Sequence, residues 1–526
     1  MAQNLERPLT RRQFLKGLSG TALTIGASSW WLANAQQSEV SGNVRPSLAG
    51  GASGKPRVVI VGAGLAGLVS AYRLTQLGIP CEIYEASHRV GGRVFTRRNA
   101  NGDGMFVELG GELVDTNHEA LIGLCQTLNV SLERFPEAAE NIQPALFMNG
   151  SQVKTEQDVI EAFQPLAEAL ARDLKRIFPD GEIRVPTYQE PCGAEWLDRM
   201  SLQEYLDDLT EVPEWLRRVI KAAYTGEYGL EPQDQSALNL LLLIDPDTGD
   251  GFRMFGESDE AMRVQGGNST LVDALYAAIR GQVPVHFGYK LAHLGGDPQS
   301  LALTFHHRRR KHAVQAGKVI LALPFSTLRQ VQGLETLGLS ARKLKAIKEW
   351  GYGTNSKQMM AFNSRFWQNP SAPFPANTGE LFTDWPSQCY WETSRLQTGS
   401  KGILTNFLGG QAGLDANHSQ WRKALSDLEQ LFKGHATEAY TGQQILMNWP
   451  RHPWAKGSYS CPGPGQYTSL MGVAGEPELS ERLFFAGEHC SVDWAGFMNG
   501  AVESGLVAAE RVVGAQGLLE STESLG

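Results

Sequence analysis

The chain is short of cysteine, with 6 in 526 residues. None falls in a C-x-x-C pair or at zinc-ligand spacing, which excludes a disulfide-stapled scaffold and the common structural zinc motifs. Cys81, Cys125, Cys192, Cys389, Cys461 and Cys490 read as buried free thiols, with a disulfide still permitted in an oxidising compartment. Long apolar runs are missing too. Beyond the N-terminal head none reaches the ~18 residues of a membrane span, and the best stretch, 238–244, is far too short. No internal repeat marks a solenoid or propeller. The 57 glycines follow no collagen-like period. Positive charge is in deficit: 47 Lys and Arg stand against 56 Asp and Glu, a net −9 that argues against nucleic-acid binding.

What is present is an ordinary globular balance, 42% hydrophobic, 20% charged and 9% aromatic, with ample material for a core. At ~150 residues per domain the length suggests three to four units or two larger discontinuous ones. Charge is unevenly spread. Arg7, Arg11, Arg12 and Lys16 against Glu6 give residues 1–35 a net +3, which leaves −12 on the rest. A basic head on an acidic body predicts a targeting segment. Its core is Thr10-Arg11-Arg12-Gln13-Phe14-Leu15-Lys16, followed by an apolar run over 18–32 softened by Gly and Ser, then Ala33-Asn34-Ala35. This head resembles a twin-arginine export signal, cleaved after Ala35. The resemblance implies the twin-arginine export machinery as a partner, a periplasmic or otherwise exported location, and a protein that folds around a cofactor before export. Residues 36–55 are Gly/Ser-rich and read as a flexible linker.

After Pro56 the pattern changes. Val58-Val59-Ile60-Val61 is a continuous β-branched run, as a strand buried on both faces requires. Gly62-Ala63-Gly64-Leu65-Ala66-Gly67 follows as G-x-G-x-x-G, and Leu68, Ala71, Tyr72 and Leu74 continue at helical spacing. A second short strand, 81–84, ends at Glu85. A lone glycine fingerprint is weak. Here it follows a strand, opens a helix and has an acid about 20 residues on, the context of a dinucleotide site. Gly62 allows the tight turn, Gly64 lets backbone approach a pyrophosphate at the helix N-terminus, and Gly67 lets the helix pack on the strand. Glu85 is placed to accept from ribose hydroxyls.

The next segment separates flavin from nicotinamide. Residues 85–98 read EASHRVGGRVFTRR, and VELGGELVD follows over 107–115. RLFFAGEHC and GFMNGAVESG lie near the far end. Together they resemble the flavin-containing amine oxidase superfamily, of the monoamine oxidase and L-amino-acid oxidase type. The resemblance implies that Ala86, Arg89, Gly91, Gly92 and Arg93 lie near the FAD pyrophosphate, where guanidinium forks suit phosphate. It implies that Gly110, Gly111 and Glu112 line the flavin, with Leu291 in the same cofactor set. It also places Glu488, after Gly487, at the ribitol and Gly496, Phe497 and Met498 at the pyrimidine. A helix beginning around 496–500 would stabilise negative charge on the reduced ring. Residues 264–279 and 318–328 resemble connecting elements of the same superfamily. Between them, the basic cluster 306–312 reads as a solvated hairpin turn.

The resemblance implies an α/β fold: a discontinuous Rossmann-like FAD-binding domain over 56–130, 251–328 and 451–515, plus an α+β substrate-binding domain with a helical part over 131–250 and 329–450. A tail, 516–526, closes the chain. Helical patterns run over 159–178, 202–209 and 215–224. Lys357 is implied as the lysine that holds a water against the reactive flavin nitrogen; by residue type alone it reads as a solvent-facing strand lysine. Lys343, Lys345 and Lys348 read as a solvated helix face. Tyr459 and Phe497 match the two aromatics that flank the amine, and Trp449 is expected beside the flavin.

Two departures stand out. Ser458 occupies the place where members with covalent flavin carry cysteine, so the FAD is expected to be non-covalent. Glu112-Leu113 follow Gly110-Gly111 where amino-acid-specific members of the venom type carry an arginine that binds carboxylate. Arg365 or Arg253 remains as a substitute in space. The leading expectation is therefore oxidation of a primary or secondary amine by oxygen, giving imine and hydrogen peroxide. An L-amino-acid oxidase is the alternative within the fold. A carotenoid- or porphyrinogen-type desaturase and a flavin-bearing binding protein are the readings outside it. No metal site is expected, and the oligomeric state is left open between monomer and homodimer.

Overall fold

The computed structural model describes residues 58–514 apart from 103, 140, 250, 297–299 and 370–373. The expected export signal, linker and tail lie outside the described residues.

Five strands form a wholly parallel sheet in the order Leu483–Phe485, Lys318–Leu321, Val58–Val61, Cys81–Glu85, Val285–Phe287. Three remote parts of the chain thus meet in one sheet. Its side chains alternate between two cores, as the two-residue period of a strand requires. Val58, Ile60, Ile83, Ile320 and Phe484 face the helices Leu65–Gln76, Ser269–Ile279 and Met498–Val513. Val59, Val61, Tyr84, Val319 and Phe485 face the other way, onto Leu291, Leu303 and Phe305 of a three-stranded antiparallel sheet over 290–316. Helices 65–76 and 498–513 pack closely because Gly505 carries no side chain; a Cβ there would lie 2.6 Å from the Ala66 carbonyl oxygen. Ser70 Oγ uses that closeness to donate to the Gly505 carbonyl at 2.9 Å.

A seven-stranded mixed sheet forms the second body, in the order Tyr440–Asn448, Ser356–Phe362, Gly402–Leu408, Cys389–Glu392, Leu381–Thr383, Leu146–Asn149, Gln152–Lys154. Met360, Phe362 and Leu404 pack on one side against Trp367 and the helix Trp421–Phe432. Met359, Ala361 and Ile403 pack on the other against Met105, Val107 and Leu109 of the cofactor half. Lys357 has the parity of Met359 and Ala361, so strand alternation aims it at the cofactor half.

Three helices complete this region. Glu156–Ile177 starts at a Thr155/Asp158 capping box and Leu202–Asp208 at a Ser201/Glu204 box. Glu214–Tyr228 runs four residues past its sequence pattern, to a left-handed Gly229. The basic cluster is a hairpin, with strands Leu301–His307 and Arg310–Ala316 joined through Arg308 and Arg309. All six cysteines are unpaired; Cys192 and Cys490 are half-buried rather than buried. Among the described residues no helix is long and apolar enough to cross a membrane.

One expectation fails here. Lys343 is not solvated. It lies fully buried on the inner face of helix Ala341–Glu349, donating to the Ala474 and Glu476 carbonyls at 2.8 Å each, with its ammonium 3.9 Å from the centre of the Phe485 ring. Burial pulls its pKa down to about 8. The helix packs residues 343, 346 and 347 against the turn Val473–Gly475, so a position that reads as polar surface becomes a clasp between segments. Lys345 and Lys348 are exposed, as expected.

Candidate active site

A cavity of about 360 Å³ opens at the carboxyl ends of the parallel strands and continues beneath the seven-stranded sheet. Glycines make its first wall. Gly62 has φ +106°, and a Cβ on it would lie 2.4 Å from the Ala322 carbonyl oxygen. Gly67 sits behind the wall, where a Cβ would come within 2.0 Å of the Gly62 oxygen. Gly64 differs: its backbone is extended and its nearest neighbour would be 3.9 Å from a Cβ, so nothing in the protein fills the space above it. The N-terminus of helix Leu65–Gln76 has no side-chain cap and opens onto that space, as an anion-binding turn does. Glu85 lies alongside. One of its oxygens accepts from Ala63 N at 2.7 Å and the other from Ser87 N at 2.8 Å, each leaving a lone pair for a further donor.

Remote segments are tied together at one carboxylate. Glu488 follows the strand Leu483–Phe485 and accepts from Arg93 Nη1 at 2.9 Å and from Gly496 N at 2.7 Å. Arg93 also donates to the Ser458 carbonyl at 2.6 Å. Burial pushes the Glu488 carboxyl up, but the adjoining Arg93 and His489 outweigh it and hold the group ionised, below its ordinary range. Arg89 also lines the cavity, but its guanidinium is spent on loop carbonyls of Val90, Gly92 and Val94. It organises the Gly91-Gly92 turn and stacks 4.0 Å over Phe95.

The third wall is the loop at Gly110-Gly111. Between Arg93 and Met498 there is room for backbone alone: a Cβ would lie 1.7 Å from the Arg93 oxygen at Gly110 and 2.8 Å from the Met498 sulfur at Gly111. Trp449 Nε1 anchors the loop by donating to the Leu109 carbonyl at 2.8 Å. Lys357, 5% exposed, reaches the same loop. Its Nζ donates to the Glu108 carbonyl at 3.2 Å, the Gly110 carbonyl at 2.8 Å and Glu112 Oε2 at 2.7 Å. Thr393 Oγ1 donates to the other Glu112 oxygen. Burial raises the Glu112 carboxyl, yet the Lys357 charge and the hydrogen bonds from Lys357 and Thr393 hold it below its ordinary value. Glu108 has no such partner charge in contact, and burial lifts it to about 7.

Every residue assigned from sequence lines this cavity except Gly67, whose place is in the helix–strand contact. Ala66, Ala86, Leu291 and Gly487 are among the lining. Tyr459 and Phe497 both line it, and among the described residues no ring contact joins them. Tyr459 donates from its hydroxyl to the Glu227 carbonyl, while Phe497 meets His118 edge-on at 5.2 Å. The two arginines held in reserve are elsewhere. Arg365 is clamped by Glu392 at 2.6 Å and by loop carbonyls, and exposed Arg253 pairs with Asp245. Besides Arg89 and Arg93, the cavity is lined by a third arginine, Arg395, which sequence reasoning passed over. Trp391, Asp115, Glu227, Glu260 and Glu380 line the same end and were also missed. Asp115 closes the quoted stretch 107–115 without being singled out there, and the others stand where no motif marks them.

The residues fit a bound flavin dinucleotide. Open space above Gly64, an uncapped helix N-terminus, a carboxylate at Glu85 with lone pairs to spare and an arginine beside Glu488 match its phosphates and hydroxyls. The second uncapped N-terminus, of Met498–Val513, opens on the same cavity. Fold and cradle together define a dinucleotide-binding oxidoreductase with a roofed substrate chamber.

The sequence profile of the family described as "Flavin containing amine oxidoreductase" matches residues 65–513. The chain belongs to that family, and is a flavin-dependent oxidoreductase acting on the C–N bond of an amine or amino acid. It is 25% identical over 502 residues to the flavin-dependent L-tryptophan oxidase of Lentzea aerocolonigenes, covering 88% of this chain and 99% of that one. It is 26% identical over 475 residues to an L-amino-acid oxidase of Siganus canaliculatus, covering 86% and 85%. Cyclohexylamine oxidase from Brevibacterium oxydans shares the fold, with a TM-score of 0.71, 20% identity and coverage of 89% and 99%.

Proposed function

We propose that the protein is an L-amino-acid oxidase, converting an L-amino acid, water and oxygen to a 2-oxo acid, ammonia and hydrogen peroxide. The observation that carries this reading is Arg395. Its guanidinium lines the cavity, stacks 4.1 Å over Phe135, and donates no hydrogen bond to any described residue; its Nε is buried without a partner. An enclosed guanidinium with unused donors matches a substrate carboxylate. It supplies the clamp for which Glu112-Leu113 offer no arginine. Relatives bearing amino-acid-oxidase names support the choice over the simple amine expected first.

FAD held by the glycine turn at 62–67, Glu85, Arg93 and Glu488 would supply the acceptor for a hydride equivalent from the substrate α-carbon and the two-electron donor to oxygen. The chain supplies orientation and electrostatics. Arg395 holds the carboxylate, Tyr459 and Phe497 confine the amine, and the roof excludes water. Lys357 steadies the Gly110-Gly111 loop; its longest contact, to the Glu108 carbonyl, is the one a water would replace if the lysine is to position one. The two helix N-termini and Arg93 offset negative charge on the cofactor. With Ser458 before Tyr459 rather than cysteine, the FAD is held without a covalent bond. Residues 10–16 support export of the loaded protein by the twin-arginine route.

The test is peroxide formation against matched pairs of amino acids and their decarboxylated amines. Turnover of the amino acids, with Arg395→Met raising KM for them by ~30-fold or more and leaving the amines little affected, supports the reading. Turnover of amines alone contradicts it.

A further inference from the structure

One part of the chamber is acidic, and four separate parts of the chain make it so. Asp115 follows the Gly110-Gly111 loop. Glu227 ends the helix Glu214–Tyr228, Glu260 precedes the strand Met262–Val264, and Glu380 precedes Leu381–Thr383. All four line the cavity. Asp115 is internally satisfied, accepting from Ser258 Oγ at 2.7 Å and from Glu260 N at 2.9 Å. The other three are not. The carboxyl groups of Glu227, Glu260 and Glu380 accept no hydrogen bond from any described residue. Protein encloses each of them, and the surface they keep faces the chamber.

An enclosed carboxylate without a donor is costly to maintain, and three together compound the cost through mutual repulsion. Other enclosed carboxylates are handled differently: Glu112, Glu392 and Glu488 each have a cation in contact, and Glu108 accepts from Thr96 Oγ1 at 2.9 Å and Asn268 N at 2.8 Å. Among the described residues the cation whose charge reaches Glu260 and Glu380 is Arg395, without a hydrogen bond to either. Acid thus outnumbers base four to one, and the surplus has no structural partner. Placement adds meaning. The Tyr459 hydroxyl rests on the Glu227 carbonyl, so the lobe begins where the expected amine-confining ring ends.

We propose that Glu227, Glu260 and Glu380 bind a cationic side chain, so that the substrates are L-amino acids ending in an ammonium or guanidinium group. This rests on the L-amino-acid reading above and names its substrate class. The lone Arg395 takes the α-carboxylate, and the surplus carboxylates supply the donor-poor wall that a distal cation satisfies. A neutral side chain leaves the three acids unpaired, and an acidic one adds repulsion. A diamine meets Arg395 with no carboxylate to offer it.

The test uses the purified holoenzyme and peroxide release with L-lysine, L-arginine, L-leucine, L-phenylalanine, L-glutamate and cadaverine. The expected result is a kcat/KM for L-lysine or L-arginine ~100-fold or more above every other compound. Glu227→Gln and Glu380→Gln should each raise KM for the basic substrates by ~30-fold, with the flavin absorption spectrum of the variants retained as the check on folding. A preference for L-leucine or L-phenylalanine overturns the cationic pocket and leaves the L-amino-acid reading standing. Turnover of cadaverine alone overturns both, as does no turnover of any compound. Retained flavin with an unchanged ratio of lysine to leucine efficiency in both variants also overturns the pocket.

Discussion

Lys357 has three N–H groups and three acceptors, one of them the buried carboxylate of Glu112. Removing the ammonium leaves that carboxylate enclosed and without its counter-charge. Lys357→Met should therefore destabilise the protein by ~3–5 kcal/mol, read as a lowered denaturant midpoint, and Lys357→Met/Glu112→Gln should recover part of the loss. A stability unchanged by the single variant would show that the pair is not structural. If the lysine also positions water at the flavin, reoxidation by oxygen slows in the single variant while stability is restored in the double.

Glu227 carries a pH signature. Burial first, then Asp115, raises its carboxyl to about 7. Asp115 and Glu260 face it as acids, and Tyr224, Tyr228, Tyr459 and Cys389 face it as groups that burial keeps neutral. A distal ammonium binds the ionised form. KM for L-lysine should fall as pH rises through about 7, with Asp115, raised to about 6, contributing below that. Glu227→Gln should flatten this limb. The linked effect on stability has the opposite sense. A carboxyl whose folded pKa is raised contributes stability that is fully present below the ordinary carboxylate range and lost as pH rises through about 7. The substrate-free protein should accordingly lose stability over that interval, and L-lysine should restore it.

At the scale of elements, three glycines of the cradle make a discriminating set. Gly67→Ala puts a Cβ 2.0 Å from the Gly62 carbonyl, and Gly110→Ala puts one 1.7 Å from that of Arg93. Both collisions are with backbone, so both variants should fold poorly. Gly64→Ala has an extended backbone that alanine adopts and free space around its Cβ. The apoprotein should keep its stability to within ~0.5 kcal/mol, while FAD binding weakens by tenfold or more because the methyl enters the cofactor's space. Equal FAD affinity in Gly64→Ala and the unaltered protein would remove the cofactor from that position. These elements were legible in the sequence because their constraint is local: a turn with positive φ, a close backbone approach and a β-branched strand leave marks within a few residues. The chamber floor left none. Glu227, Glu260, Glu380 and Arg395 come from four separate stretches, and no short window shows that they meet. Lys343 misled for a related reason: its helix stripe reads as polar, and the turn Val473–Gly475 that buries it lies 130 residues on.

At the scale of the molecule, the parallel sheet collects strands from residues 58–85, 285–321 and 483–485, and Glu488 ties their loops at one point. A dinucleotide held in this cradle would meet segments about 400 residues apart, and its loss should lower the cooperativity of unfolding. The proposed non-covalent attachment, with Ser458 in place of a linking cysteine, predicts that denaturation releases intact FAD into solution. The most direct test of the account is an anaerobic titration of the purified protein with L-lysine, followed in the visible absorption of the flavin. The account predicts that the band bleaches as substrate is added and returns when oxygen is admitted, with peroxide formed in equal amount. A protein that carries no flavin, or whose flavin stays oxidised under every L-amino acid, would contradict it.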